Sequence, residues 1–371
     1  MQKTVNQHYV PQLLLKKFAK TMEVTGRATK YQLQVYDKNT GKHRIDLVSN
    51  IFSQKYFYDT DNQIESSLSK LETKVAPIIN KLIAELSIPT NLDLEIFLKF
   101  ICCQYLRTLT MRERSNQTID KIQMDIVKSI FEANKDSPLF KEMFETGKID
   151  YGTFMYGKEA KRSISCLNIQ NLNKYYKGLK DLEIHILENN TSKEFIIGDH
   201  PVILCNWLLS DYKLTKNIPV NSSPVAIGAQ MFIPITPRLT IGLYDPKVYR
   251  YDTSSKYITS IDEKSVEWLN TLQIFYSTNS LCFLSESMIP IVASLVDGAQ
   301  NLNLCRPFDN DTYNQVVSGH ILRNLEPKPS FFETLDTAMQ LLSKAVVPLP
   351  DTSSLGIIAG LLYRNQEGLV I

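Results

Sequence analysis

Cysteine is scarce in this sequence, with 6 residues among 371. Two of them, Cys102 and Cys103, are adjacent in an apolar segment with helical spacing, and no Cys-x-x-Cys pair occurs. A disulfide framework or a cysteine zinc site needs a denser and more regular set of thiols. We therefore expect reduced cysteines in the core and no zinc site.

An excess of charge of either sign is also missing. The chain has 41 Lys and Arg against 39 Asp and Glu, which gives a net charge of +2 at pH 7. A protein that coats nucleic acid needs a strongly basic surface, and this balance argues against one. A local basic groove remains compatible with it, because the net charge does not say how the charges are distributed.

Long apolar runs are absent as well. No window reaches the roughly 18 consecutive apolar residues that a membrane span needs. The longest apolar stretch, over 346–362, is interrupted by Pro348, Pro350 and Asp351. The N-terminal segment has neither the apolar core nor the cleavage pattern of a signal peptide. These absences predict a cytoplasmic protein with no membrane partner.

Hydrophobic periodicity predicts an α+β fold. A short N-terminal helix after Pro11 and a β-hairpin over 31–48 come first, and a central helical region follows at about 60–150. Alternating apolar residues then dominate about 180–290, which predicts a C-terminal antiparallel sheet with flanking helices. Helices followed by strands are typical of this class, whereas an α/β protein alternates the two.

The same pattern predicts the domain organisation. We expect residues 1–290 to form a single α+β domain, with its helical part at about 60–150 and its strand-rich part at about 180–290. Residues 291–371 are expected to be a C-terminal extension packed on that domain, with a helix over 329–346. Oligomeric state does not follow from any of these patterns.

Several short motifs resemble those of one bacterial family. In chain order they include His8-Tyr-Val-Pro-Gln12, Phe100-Ile-Cys-Cys-Gln104-Tyr-Leu-Arg107, Phe195-Ile-Ile-Gly-Asp199-His-Pro201 and Leu269-Asn270. Together they resemble the domain-of-unknown-function family 4238 over roughly 6–284, with His200 where the family pattern usually has Asn. The family has no assigned activity. Some members look like anti-phage defence proteins, which implies a toxic or nucleic-acid-directed effector.

The first candidate site residues are His8 and Gln12, which flank the proline that begins the first helix. A neutral imidazole can act as a general base, a general acid or a ligand. We therefore interpret His8 as a catalytic candidate and Gln12 as a substrate-binding one. The alternative for His8 is a structural imidazole bonded to the backbone.

The next candidates lie on two successive predicted helices. Glu65 and Glu72 share one helix face because they are two turns apart, and we interpret Glu72 as catalytic and Glu65 as a surface charge. Gln104 and Arg107 follow in an apolar stretch and are substrate-binding candidates. An arginine there pairs with a ligand phosphate or with a fixed acid such as Glu72, and the pattern leaves both open.

The last candidates come from the strand-rich part. Asp199 and His200 follow an apolar strand, at a position where active-site residues often lie. Asp199 is a catalytic candidate that would orient a histidine or hold a metal, and His200 is a substrate-binding one. The alternative is a turn in which Asp199 caps its own backbone. Asn270, in a helix lined by apolar residues, is a further substrate-binding candidate.

These residues predict an anti-phage effector that hydrolyses nucleic acid, RNA in preference, or a nucleotide. A divalent cation such as Mg²⁺ is a possible cofactor, but no metal ligand set is assigned, and a phage-encoded trigger is a possible partner. The competing hypothesis is a sensor that binds a ligand or a phage protein through the same residues without chemistry. A third hypothesis makes every shared motif structural.

Overall fold

The computed structural model describes residues 4–23, 29–147, 150, 152, 155–206, 224–251, 257–301 and 325–327 of the chain. Over these ranges the protein is α+β, as predicted, with N-terminal strands, a central helical region and later strands with flanking helices. The predicted helix over 329–346 and most of the extension 291–371 lie outside the described residues.

The N-terminal residues form short strands around a helix and a hairpin. These elements are β1 (Asn6–His8), α1 (Gln12–Leu15), β2 (Lys20–Met22), β3 (Lys30–Asp37), β4 (His43–Leu47) and β5 (Ser53–Lys55). The predicted helix and hairpin are confirmed, because Pro11 immediately precedes α1 and β3 pairs antiparallel with β4. β1 pairs antiparallel with β5, which brings His8 opposite Ser53.

The central region is helical. Its helices are α2 (Gln63–Glu85), α3 (Asn91–Leu106), α4 (Leu109–Asn134), α5 (Pro138–Glu145), α6 (Lys158–Gln170) and α7 (Leu172–Tyr175). α2 packs against α3 through an apolar stripe that includes Leu68, Val75 and Ile79. α5 begins with Pro138 in its first turn, and the Ser137 hydroxyl accepts the Phe140 N–H at 3.4 Å.

A helix break at Arg107 and Thr108 separates α3 from α4, whereas apolar spacing alone predicts one helix that continues through residue 112. α3 ends at Leu106, and Thr108 is the N-cap of α4, where its hydroxyl accepts the Met111 N–H at 3.5 Å. A threonine side chain competes for backbone groups in this way, so apolar periodicity alone does not reveal the interruption. The break leaves Arg107 at the C-terminal end of α3.

The second half contains most of the strands. These elements are β6 (Glu183–Asn189), β7 (Ile197–Gly198), β8 (Ile203–Cys205), β9 (Gln230–Thr236), β10 (Leu239–Tyr244), β11 (Tyr249–Tyr251), β12 (Ile258–Ile261), α8 (Glu263–Tyr276), β13 (Ser280–Phe283), α9 (Ile289–Asn301) and β14 (Leu325–Pro327). Among the described residues, five of these strands form one sheet in the order β12-β6-β10-β9-β8.

The sheet contains antiparallel pairs, as predicted, and one parallel pair. β12 runs parallel to β6, with Ile258 opposite Ile186. This strand has only four residues, and helical spacing from residue 260 onward obscures it in the sequence. The strand ends before Asp262, whose carboxylate accepts the Ser265 N–H at 2.9 Å and so starts α8.

A second sheet joins the two ends of the domain. Its strands follow the order β2-β3-β13-β7, and β4 pairs with β3. Asp37 in the N-terminal hairpin lies opposite Ser280 in β13, and Leu281 lies opposite Gly198 in β7. The main core is continuous from α1 through α2 and α3 to the strands of the larger sheet. No helix in the described ranges is long and apolar enough to cross a membrane.

Candidate functional site

Five polar side chains lie where β1, α2 and the end of α3 come together, and they are linked by hydrogen bonds or by the effect of their charges on one another. We call them the polar cluster: His8, Glu65, Glu72, Gln104 and Arg107. Gln104 and Arg107 form its floor, at 0% and 2% exposure, while the other three side chains are partly exposed. The floor of the cluster is therefore buried and carries a positive charge. Its other side is partly exposed and carries an imidazole and two carboxyl groups.

Arg107 is held from two directions. Its Nε donates to Gln104 Oε1 at 2.8 Å, and its Nη1 donates to Glu72 Oε1 at 2.7 Å. Nη2 is buried and has no hydrogen-bond partner in the described part of the chain. Burial lowers the pKa of Arg107, but the charge of Glu72, the neighbouring Tyr58 and Cys103 and the hydrogen bond to Glu72 together outweigh burial and leave that pKa raised. The guanidinium is thus permanently charged and fixed in place, while the two N–H groups of Nη2 remain without a partner in the described residues.

His8, like Arg107, has a buried nitrogen atom without a hydrogen-bond partner in the described residues. Its Nε2 is buried and finds no hydrogen-bond partner among the described residues. Burial lowers the pKa of His8, against hydrogen bonding to the backbone of Val48 and the charge of Glu72, which raise it. The imidazole is therefore neutral at pH 7 and able to accept a proton.

Glu65 corrects the interpretation of that residue as a surface charge. It is partly buried on the same helix face as Glu72. Burial, and then the charge of Glu72, raise the pKa of Glu65 to about 7, while Arg107 acts in the opposite direction. The sequence shows the two-turn spacing, but the burial of Glu65 depends on how distant segments pack around α2.

The N-terminal motif is tied to the helices by backbone and amide bonds. Gln104 Nε2 donates to the Tyr9 carbonyl at 3.0 Å, and the hydroxyl of Tyr58 donates to the His8 carbonyl at 3.1 Å. Gln7 Oε1 accepts the Tyr58 N–H at 2.6 Å. Gln7 and Tyr58 were not among the predicted site residues, although Gln7 directly precedes the motif that begins at His8. Gln12, the first residue of α1, is partly exposed.

Asp199 lies in a different setting. Its side chain is 1% exposed, and its two oxygens accept N–H groups from Thr278 and Asn279 at 2.7 Å each and from Ser280 at 3.3 Å. Burial raises the pKa of Asp199, and the bonds from Asn279 and Thr278 oppose that effect. The carboxylate holds the turn between α8 and β13, which favours a structural role for Asp199. The backbone it binds is that of residues 278–280, however, and not its own turn, as the structural alternative had it.

His200 is fully packed between the two halves of the molecule. Its Nδ1 lies 2.5 Å from the hydroxyl of Thr108, and its ring stacks on Tyr276 with centroids 5.7 Å apart. Burial, with a smaller contribution from the charge of Arg114, lowers the pKa of His200 to about 3. His200 is therefore neutral, and it connects the strand end to the helix break beside Arg107.

Asn270 bonds to the backbone of the segment that leads into β7. Its Oδ1 accepts the Ile196 N–H at 3.0 Å, and its Nδ2 donates to the Glu194 carbonyl at 2.8 Å. One turn later, Gln273 bonds in the same way to the Gly198 N–H and the Pro201 carbonyl. The two amides supply partners that a neighbouring strand would otherwise give. Gln273 was missed, although its spacing from Asn270 places both on one helix face.

The predicted site residues thus separate into two groups. His8, Glu72, Gln104 and Arg107 come together, and Gln12 lies one short segment further along the chain from His8. Asp199 and Asn270 bind backbone around β7 and β13 instead. Within the described ranges, no three His, Cys, Asp or Glu side chains are arranged so that they could hold a metal ion.

A comparison with protein families covers almost all of this architecture. A family model described as "Protein of unknown function (DUF4238)" matches residues 6–287. The chain belongs to the DUF4238 family. The match to DUF4238 contains every predicted site residue, from His8 to Asn270. No curated protein and no solved structure matches the chain.

The planar fork of Arg107 gives a first prediction for this DUF4238 member. A lysine keeps the charge but cannot bond to Gln104 and Glu72 together, so Arg107→Lys should lower the free energy of unfolding by about 2 kcal/mol. Denaturant unfolding measures this. Arg44→Lys is the matched control, because Arg44 pairs with Asp46 on the exposed hairpin, where a change of at most about 0.5 kcal/mol is expected. Equal effects of the two variants would contradict the two-pronged role.

Proposed function

We propose that this protein is a cytoplasmic effector of anti-phage defence that hydrolyses nucleic acid, RNA in preference, or a nucleotide. The observation that carries the proposal is a pair of buried nitrogen atoms in the polar cluster that have no hydrogen-bond partner in the described residues. His8 Nε2 and Arg107 Nη2 are buried without hydrogen-bond partners in the described chain, beside two carboxyl groups. Leaving such groups unpaired costs free energy, and a substrate that bonds to both would offset that cost.

The chemistry of these two unpaired nitrogen atoms favours a phosphate-containing substrate. A guanidinium N–H is a good partner for a phosphate oxygen, and Arg107 cannot lose its charge. The neutral imidazole of His8, in the same cluster, could remove a proton from the attacking group. His8 and Arg107 would therefore act on substrate directly, whereas Gln104 and Glu72 would hold the guanidinium in position.

The link to phage defence has a different basis. It comes from the resemblance of this chain to DUF4238 proteins, some of which look like defence proteins, and it implies a phage-encoded trigger as partner. A nuclease that degrades cellular RNA would fit such a role, because loss of RNA halts both the host and the phage. The physiological part of the proposal is therefore tested by measuring whether cells lose protection from phage when the protein is removed and regain it when the protein is restored.

Purified full-length protein tests the enzymatic part. Total cellular RNA, plasmid DNA and a panel of nucleotides are incubated with wild type, with Mg²⁺, Mn²⁺ or chelator present. We expect wild type to degrade one of these substrates and His8→Gln to be about 100-fold slower or worse, as is typical when a general base is lost.

His43→Gln serves as the matched control, since His43 is exposed on the hairpin and its ring bonds to Gln34. It should keep wild-type activity. If the protein protects cells from phage but leaves every substrate intact, the enzyme proposal is wrong. The unpaired nitrogen atoms of the polar cluster would then belong to a binding site, and the sensor hypothesis would replace the enzyme proposal.

A further inference from the structure

Two proton-carrying side chains share the polar cluster with the Glu72–Arg107 ion pair. The charges of Glu72 and Arg107 shift the pKa of His8. The charges of Glu72, Arg107 and Asp59 shift the pKa of Glu65. The ion pair itself is fixed, because Glu72 Oε1 accepts the bond from Arg107 Nη1. The groups left to react are therefore the His8 imidazole, the Glu65 carboxyl group and the two N–H groups of Arg107 Nη2. Neither His8 Nε2 nor Arg107 Nη2 has a hydrogen-bond partner in the described part of the chain.

The surroundings move the pKa values of His8 and Glu65 in opposite directions. His8 becomes a neutral acceptor, while Glu65, with its pKa at about 7, still holds its proton on a large fraction of molecules near neutral pH. Pairs of titratable groups with displaced pKa values are typical of acid–base catalysis, in which one group takes a proton and the other gives one.

An acid, a base and a fixed cation fit one kind of phosphodiester cleavage especially well. When the attacking group belongs to the substrate and already lies next to the phosphorus, the enzyme does not have to bind and activate a separate water molecule. RNA carries such a group in its 2′-hydroxyl, and DNA lacks it. The two other acidic groups considered for the site are engaged, Glu72 by Arg107 and Asp199 by three backbone N–H groups.

Resting on the function proposed above, we propose that the substrate is RNA and that His8, Glu65 and Arg107 cleave it by internal transesterification. His8 Nε2 takes the proton of the 2′-hydroxyl, and the 2′-oxygen forms a bond to phosphorus. The bond from phosphorus to the 5′-oxygen breaks, and Glu65 gives its proton to that leaving oxygen. Arg107 Nη2 donates to a non-bridging phosphate oxygen, where negative charge increases. The products are a 2′,3′-cyclic phosphate and a 5′-hydroxyl end.

This assignment makes Glu65 a catalytic residue, and its dependence on pH follows. The base must be unprotonated and the acid protonated, so the rate should be greatest between the lowered pKa of His8 and about pH 7, and should fall at higher pH as Glu65 ionises. Glu65→Gln should lose the alkaline limb of the profile and about 100-fold or more in rate. Glu85→Gln is the matched control, because Glu85 lies exposed near the end of the same helix.

The decisive experiment compares oligonucleotides of one sequence that carry 2′-hydroxyl, 2′-deoxy or 2′-O-methyl groups, with full-length protein and analysis of the new ends. His8→Gln protein purified in parallel controls for contaminating ribonuclease. We expect cleavage of the 2′-hydroxyl substrate alone, with cyclic phosphate ends. Cleavage of the 2′-deoxy substrate, or 5′-phosphate ends, would overturn the transesterification while leaving a hydrolase. Failure of the protein to alter any nucleic acid or nucleotide would overturn the proposed function as well.

Discussion

Gly198→Ala is expected to unfold this protein or to lower its free energy of unfolding by about 3 kcal/mol or more. A Cβ at this position would lie 1.7 Å from Ser277 Oγ and 3.0 Å from Ser277 Cβ. These atoms belong to the C-cap of α8, whose backbone is fixed by the bond from the Ser277 N–H to the Gln273 carbonyl. Rotating the Ser277 side chain would remove the contact with Oγ, but it would break the hydrogen bond from that hydroxyl to the Gln273 carbonyl. The contact with Ser277 Cβ would still require β7 and α8 to move apart by a few tenths of an ångström.

The matched control for this change is Gly298→Ala. Gly298 lies within α9, and a Cβ there would meet nothing within 4 Å. Alanine should stabilise that helix by up to about 1 kcal/mol. Thermal and denaturant unfolding of the two variants therefore ought to shift in opposite directions. A second test is Gly198→Ala combined with Ser277→Gly, which removes both close atoms and should recover part of the loss. Wild-type stability in Gly198→Ala alone would show that β7 does not pack on α8 as described.

Asp199→Asn is expected to lower the free energy of unfolding by about 3 kcal/mol, because an ionised acceptor that is replaced by an amide leaves backbone donors unsatisfied. The carboxylate accepts bonds from Thr278, Asn279 and Ser280. An asparagine offers one oxygen, and its NH₂ group would face at least one of those N–H groups. Denaturant unfolding measures the loss.

The same variant separates a structural role for Asp199 from a catalytic one. Activity should be assayed at a temperature where Asp199→Asn is still folded, and we expect turnover close to that of wild type. A catalytic Asp199 would give the reverse result, with turnover lost and stability kept. Asp46→Asn is the control, since Asp46 accepts bonds from Leu47 and Asn50 on the exposed hairpin and should change stability by less than about 1 kcal/mol.

The sequence predicted the class of the fold and the more local parts of the site. Apolar spacing located α2 and α3, and the position of Arg107 in an apolar stretch predicted that it would pair either with a ligand or with Glu72. The structure contains that ion pair. Gln104 was found for the same reason, because a polar side chain in a buried stripe must have a partner.

What the sequence could not show depends on contacts between distant segments. The partial burial of Glu65 follows from packing against the rest of the cluster, and nothing in the spacing of α2 distinguishes Glu65 from an exposed glutamate. The parallel strand β12 is only four residues long and lies next to the start of a helix, so its periodicity is too short to recognise. For Asp199, the residue type fitted a catalytic group and a turn equally well, and only its three bonds to backbone distinguish them.

The pairing of β3 with β13 has a consequence for how the protein is made. Asp37 emerges from the ribosome early. Its partner across the sheet, Ser280, is synthesised only after nearly all of the segment 6–287 that matches the family. Until then, β3 has its partners β2 and β4 but lacks the strand that connects it to β7. Contacts between residues so far apart slow folding, because a long loop must close first. Nascent chains released before β13 should therefore be targets for proteases, and the domain should resist being divided into separately folding halves.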